Sequence, residues 1–151
     1  MSDDSPGHRL NRILRARAST SRLKIPPPCF LEMKGEYLAF DEAERVLVAR
    51  FPVESRFENP LGHMQGGFVA AAIDNTLGPL AYLVAPPSVT LQLSTQYLRP
   101  VAPGSGHIVV HGRVEAMTKS YLYLSARVLD PQDRVLAFAQ TSCQILPPRE
   151  D

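Results

Sequence analysis

The stretch NPLGHMQGGFVAAAIDNTLGP, residues 59–79, decides the fold. Its middle, Gln65 to Leu77, is apolar on nearly all sides, the pattern of a helix enclosed by the rest of its domain. Gly66 and Gly67 at its start allow another backbone or a ligand to come close, and Gly78-Pro79 is expected to kink or end it. Asn59-Pro60 and Gly62 ahead of it are loop chemistry. One residue is out of place: Asp74 follows Val69-Ala70-Ala71-Ala72-Ile73 inside that apolar helix. An unpaired charge buried there would cost several kcal/mol. A hydrogen-bonded partner, a water-filled cleft or a subunit interface must therefore lie beside Asp74.

On either side of this helix the hydrophobic period changes from helical to alternating. Upstream, Glu36–Phe40 and Arg45–Val53, joined by the polar turn Asp41–Glu44, read as a β-hairpin. Downstream lie four strand candidates, Ser88–Leu98, His107–Ala116, Tyr121–Leu129 and Val135–Leu146, the last two linked by an Asp130-Pro131-Gln132-Asp133 turn. In the first of them Val89, Leu91, Leu93 and Tyr97 alternate with Thr90, Gln92, Ser94 and Gln96, which predicts two distinct faces. Two strands, a helix and four strands fit an α+β domain in which one antiparallel sheet wraps a single central helix. His8–Lys24 reads as an extra, basic amphipathic N-terminal helix, a surface helix that could also draw in an anionic ligand, and Pro26-Pro27-Pro28 as a stiff connector. The expected organisation is therefore an arm, 1–28, and a single domain, 29–151.

Composition narrows the functional classes. At 151 residues with 44% apolar and 21% charged side chains, the chain is long enough to bury one real core. Residues 1–24 carry six basic and two acidic side chains, a net of +4, and the remainder is −3, so no whole-protein nucleic-acid footprint is expected. Phe68–Val84 contains Asp74, Asn75 and a Gly-Pro break, poor content for a membrane span, and the charged opening does not read as a signal peptide. Cys29 and Cys143 match no metal or redox spacing, which points to a reducing, cytoplasmic setting. His107 and His111 share a strand face about 13 Å apart, too far for one ion, and no metal site is expected.

Two features carry chemistry. The first amides of a helix lack intrahelical acceptors and lie at the positive end of its dipole, so the Gly66-Gly67 terminus can hold an anion or the oxyanion developing on a carbonyl. Gly66 and Asp74 are eight residues apart, roughly 12 Å along one helix. That is too far for both to act on one small centre in a single chain. The spacing predicts a dimer in which Gly66 of one subunit meets Asp74 of the other.

Asn59, six residues on Gln65-Gly66-Gly67, and an acid nine residues after Gln65 together resemble the signature of hotdog-fold thioesterases of the phenylacetate-pathway kind. Thr90–Pro100, TLQLSTQYLRP, is similar to that family's strand after the helix, and the resemblance spans about 35–146. It implies an acyl- or aroyl-coenzyme A thioesterase, with Asp74 as general base or nucleophile and Gly66 as oxyanion amide. Asn59 would position water or thioester, and the hydroxyl of Thr90 would assist from the same subunit as Asp74. It implies a double-hotdog homodimer with two interface sites, paired into a dimer of dimers, and no cofactor beyond the coenzyme A of the substrate. The chain departs from the family at Gln65, where histidine is usual, and His63 lies two residues upstream. Glutamine can hydrogen-bond a thioester carbonyl but cannot shuttle a proton. Gln65, Gly67 and His63 are candidate substrate contacts, and Arg99, Lys119 and Ser120 stand at strand ends where coenzyme A phosphates could dock. Phe68, Ala71 and Ala72 would offer the acyl group a face of mostly small side chains. The competing readings are a non-catalytic acyl-coenzyme A binder, which Gln65 favours, and a hotdog dehydratase, which would need a histidine near Asp74.

Overall fold

The computed structural model describes residues 5–17 and 23–147. Six strands form one antiparallel sheet: β1 (Glu36–Asp41), β2 (Val46–Pro52), β3 (Ser88–Tyr97), β4 (His107–Met117), β5 (Tyr121–Leu129) and β6 (Val135–Ile145), in the order β1-β2-β4-β5-β6-β3. A helix, α3 (Gly66–Val84), packs on one face of it against β2, β3, β4 and β5. This is the α+β hotdog architecture the sequence predicts, with the hairpin and all four later strands within a residue or two of expectation. Two smaller helices precede the sheet, α1 (Pro6–Arg17) and α2 (Pro28–Glu32).

The core lies between α3 and the sheet. Val69, Ile73, Leu77, Leu80 and Leu83 are buried on the helix, and Leu47, Phe51, Ile108, Val110, Leu122 and Leu124 on the strands. Complete burial of each such side chain stabilises the fold by about 1.5–3 kcal/mol. Gly112 lets the layers close up: a Cβ there would meet Leu77 Cδ2 at 2.8 Å and Thr76 Cγ2 at 3.4 Å. Packing also overrides Pro79. The helix runs through Gly78-Pro79 to Val84, and Pro79, Leu80, Ala81 and Leu83 are buried in that continuation. The apolar gain of this last part exceeds the loss of one backbone hydrogen bond.

Three expectations are corrected. The N-terminal helix ends at Arg17 among the described residues, Leu23 and Lys24 are not helical, and the intervening part of the expected helix lies outside the described residues. Leu10 and Leu14 bury its apolar stripe, as expected. The proline connector runs directly into α2, with Pro28 as its first residue, where a missing amide costs nothing. Finally, α3 is not enclosed on all sides. Gly67 and Asp74 are exposed, and Ala70, Ala71 and Gly78 on the same stripe are only partly covered. Although α3 has the length and hydropathy of a membrane span, half of its apolar window is buried inside the protein.

The β5–β6 turn is held by one carboxylate. Asp130, 4% exposed, accepts the amides of Gln132 and Arg134 at 2.9 Å each and the Arg134 Nε at 2.7 Å. Desolvation raises its pKa, but the hydrogen bonds from Arg134 and Gln132 outweigh it, and the net shift is downward. A lowered folded-state pKa makes this contribution complete above the ordinary carboxylate value of about 4 and lost as pH falls through the folded value. Thermal melts should therefore show Asp130→Ala less stable than the parent at pH 7, with the gap narrowing below about pH 4.

Candidate active site

The segment before α3 is tied down by backbone and by Asn59. The Asn59 Oδ1 accepts the amides of Leu61 at 2.9 Å and His63 at 3.1 Å, and the Asn59 amide donates to the His63 carbonyl at 2.7 Å. Gly62 completes this tight loop at φ +78°, a conformation that favours glycine. The amide of Met64 then bonds to the Val101 carbonyl and that of Gln65 to the Phe57 carbonyl. Gln65 is the N-cap of α3, exposed and with no side-chain capping bond; its carbonyl accepts the amides of Phe68 and Val69. Among the described residues, the Gly66 and Gly67 amides have no protein acceptor.

A cleft of about 270 Å³ opens at this helix end, lined by Asn59, His63, Gly66, Val69, Tyr97 and Arg99 among others. It brings together four of the expected site residues, Asn59, His63, Gly66 and Arg99. The Arg99 Nη1 is also bonded, to the Val135 carbonyl at 2.6 Å. Tyr97, read from sequence only as an apolar-face residue, closes the cleft and donates its hydroxyl to the Gly66 carbonyl at 2.7 Å. Nothing in the alternation of β3 distinguishes this tyrosine; its place at the strand's end, over Gly66, does.

Asp74 and Thr90 form a second group. The Thr90 Oγ1 donates to Asp74 Oδ1 at 3.3 Å, so the predicted hydroxyl–carboxylate pair exists within one chain. Simple alternation would put Thr90 on the face opposite Leu93 and Tyr97. A β-bulge at Leu91 changes that: Thr90 pairs with Cys143 and Gln92 with Ser142. Thr90 thus shares a face with Leu93, Tyr97 and the buried Cys143 and turns toward α3. Bulges re-aim side chains in this way. Asp74 is exposed rather than buried in the protomer, which avoids the charge-burial cost without a salt bridge.

The remaining expected residues fall elsewhere. Lys119 and Ser120 sit in the β4–β5 turn, where Ser120 accepts the Ile145 amide near the start of β3, whereas Arg99 follows its end. Of the face expected to meet the acyl group, Ala72 is fully buried, whereas Ala71 is partly open, as is Phe68, whose ring lies tilted against Phe57 with centroids 4.3 Å apart. Among the described residues no group of three His, Cys, Asp or Glu is gathered for a metal.

The match to known proteins follows this geometry. Residues 61–137 fit the family model of the thioesterase superfamily, and the chain belongs to that superfamily, in its hotdog fold. Acyl-coenzyme A thioesterase THEM4 of Xenopus laevis is 28% identical over 102 residues, covering 67% of this chain and 46% of that protein. This chain therefore spans about half the length of that relative. Among solved structures, a phenylacetic acid degradation-related protein of Ralstonia eutropha matches with TM-score 0.76 and 20% identity over 88% of this chain and 98% of its own. The Escherichia coli PaaI protein matches with TM-score 0.77 and 14% identity, covering 91% and 96%. A Streptococcus mutans protein bound to acetyl CoA matches at 0.71 and 17%, covering 86% and 98%.

Both cysteines are free, and they differ in access. Cys29 is exposed, its thiol donating to Asn75 Oδ1 at 3.2 Å, while Cys143 is buried behind Thr90 and burial pushes its pKa up. In a Cys29→Ser variant, a chromogenic disulfide reagent at pH 8 should find almost no rapidly reacting thiol until the protein is unfolded, when one thiol per chain should appear.

Proposed function

We propose that the protein is an acyl- or aroyl-coenzyme A thioesterase acting at a homodimer interface. The observation that carries this reading is the Thr90–Asp74 hydrogen bond on an open face of α3, set apart from the donor-rich cleft at the helix start. In the proposed reaction, Asp74 activates water, with Thr90 fixing the orientation of its carboxylate. Water attacks the thioester carbonyl, and the amide of Gly66 from the other subunit holds the developing oxyanion. Thiolate is a good leaving group, so no strong general acid is required and Gln65 suffices as a hydrogen-bonding neighbour. Arg99 of one subunit, with Lys119 and Ser120 of the other because they stand at the opposite end of β3, is assigned to the coenzyme A phosphates, and no other cofactor is assigned.

The assembly is part of the proposal. The stripe Gly67, Ala70, Asp74 and Gly78 leaves room for a second helix, and β3 is an edge strand whose Val89 and Leu91 are 44% and 54% exposed. Such an edge favours pairing with a second chain. Tyr121, Tyr123 and Phe138, exposed on the face away from α3, support a dimer of dimers. The two unpaired cysteines support a cytoplasmic setting. The second reading, a coenzyme A-thioester binder without turnover, is favoured by Gln65 at the cap of α3.

A panel of aliphatic and aromatic acyl-coenzyme A thioesters, assayed by thiol release, separates the two. Asp74→Asn should lower kcat by roughly 100-fold or more while leaving the melting curve and oligomer size unchanged. Full turnover in that variant would remove Asp74 from the reaction, and saturable binding with no thiol release by the parent would establish the binder. Sharing of the site is tested by mixing. Gly66→Pro deletes the oxyanion amide at a first-turn position whose backbone tolerates proline; its Cβ also presses on Tyr97, so both disturbances fall on the subunit that supplies the donors. Co-expressed with Asp74→Asn, it should recover roughly a quarter of parental activity, since half the dimers then hold one intact site. No recovery would place both groups in one chain.

A further inference from the structure

Tyr97 lies on the α3-facing side of β3, paired with the buried Ala137, and its ring covers the first residue of the helix. A Cβ at Gly66 would sit 3.1–3.3 Å from the ring's Cζ and Cε1 and the hydroxyl oxygen, so the glycine is what lets the tyrosine approach. The hydroxyl donates to the Gly66 carbonyl at 2.7 Å. That carbonyl belongs to the same planar peptide as the Gly67 amide, and in a trans peptide the two point in opposite directions. With the carbonyl directed along the helix, the Gly67 N–H is directed out of its N-terminal end, where among the described residues no acceptor meets it. A hydrogen bond to a peptide oxygen also strengthens the N–H of that same peptide as a donor.

We propose that Tyr97 is a positioning residue: it fixes and polarises the Gly66–Gly67 peptide so that the Gly67 amide acts as a second donor to the oxyanion beside that of Gly66. The inference rests on the hydrolytic reading above and adds to it a donor and the side chain that aims it.

The test begins with Tyr97→Phe, which keeps the ring and deletes only the donor. Its kcat on benzoyl- or octanoyl-coenzyme A should fall roughly 3- to 10-fold with KM unchanged. Gly67→Pro removes the N–H itself at a first-turn position where nothing lies within 4 Å of an added Cβ. It should fall well below Gly67→Ala, and in the proline background Tyr97→Phe should cost nothing further. A readout independent of turnover uses benzoyl-coenzyme A carrying a ¹³C-labelled carbonyl, bound to Asp74→Asn. Its carbonyl stretch should be less red-shifted when Tyr97→Phe is added. Unchanged kcat and band position in Tyr97→Phe, a loss confined to KM, or the same loss in the proline background would each overturn the role of Tyr97. Saturable binding of these thioesters by the parent with no thiol release would instead overturn the hydrolytic reading itself.

Discussion

The packing of α3 onto the sheet sets where every candidate group stands. Its buried side, from Val69 through Leu83, is fixed by contact with β2, β4 and β5, and Gly112 lets it settle close to the sheet. Once that side is fixed, helical geometry determines the other. Gly67, Ala70, Asp74 and Gly78 must face outward together, and the two free amides must emerge at one end. Neither the position of the acid nor that of the donors can be adjusted locally without moving the core.

This constraint bears on how a carboxylate and the proposed oxyanion site would coexist on one helix. Placed side by side, they would compete, because the positive helix terminus would stabilise Asp74 as readily as a reaction intermediate. Eight residues of separation, roughly 12 Å, remove that competition within a chain. Apposing two helices in opposite directions, as the proposed dimer does, would bring the acid of one to the amides of the other only when a substrate carbonyl can lie between them. The bulge at Leu91 has a related effect. It turns Thr90 toward Asp74 without disturbing the pairing of the rest of β3, so the hydroxyl bonded to Asp74 comes from the strand that also forms the free edge.

Much of the fold was legible because hydrophobic period reports burial directly. The hairpin and the four later strands alternate, and α3 does not. What period could not show was which side of α3 stays open. Small residues such as Ala70 and Gly78 look as apolar in sequence as Ile73 or Leu77, and only the three-dimensional layer reveals that they face outward. The run past Pro79 was hidden for a similar reason, since local backbone chemistry argues for a stop and tertiary burial of Leu80 and Leu83 decides otherwise. For the proposed site, residue types and spacing marked Gly66 and Asp74, while Asn59, in itself only a turn residue, entered with the resemblance to the family. Strict alternation gave Thr90 the wrong face, because one extra residue in a strand leaves no mark on composition. Tyr97 was invisible as a donor, since its partner is a backbone carbonyl.

Gln65 can be weighed against these contacts. A side chain at the helix cap can influence the reaction through its own hydrogen bond or through the backbone it carries. Here the Gln65 backbone is fully engaged, its amide on Phe57 and its carbonyl on Phe68 and Val69, while its side chain makes no capping bond. The donors at the helix start are therefore held by the main chain and by Tyr97 whatever residue stands at position 65. For a leaving group as stable as a thiolate, a histidine there would add a proton that the departing sulfur does not need. Glutamine is compatible with the proposed hydrolysis on these grounds, because the demanding step would be stabilising charge on the carbonyl oxygen, a task the proposal gives to backbone amides.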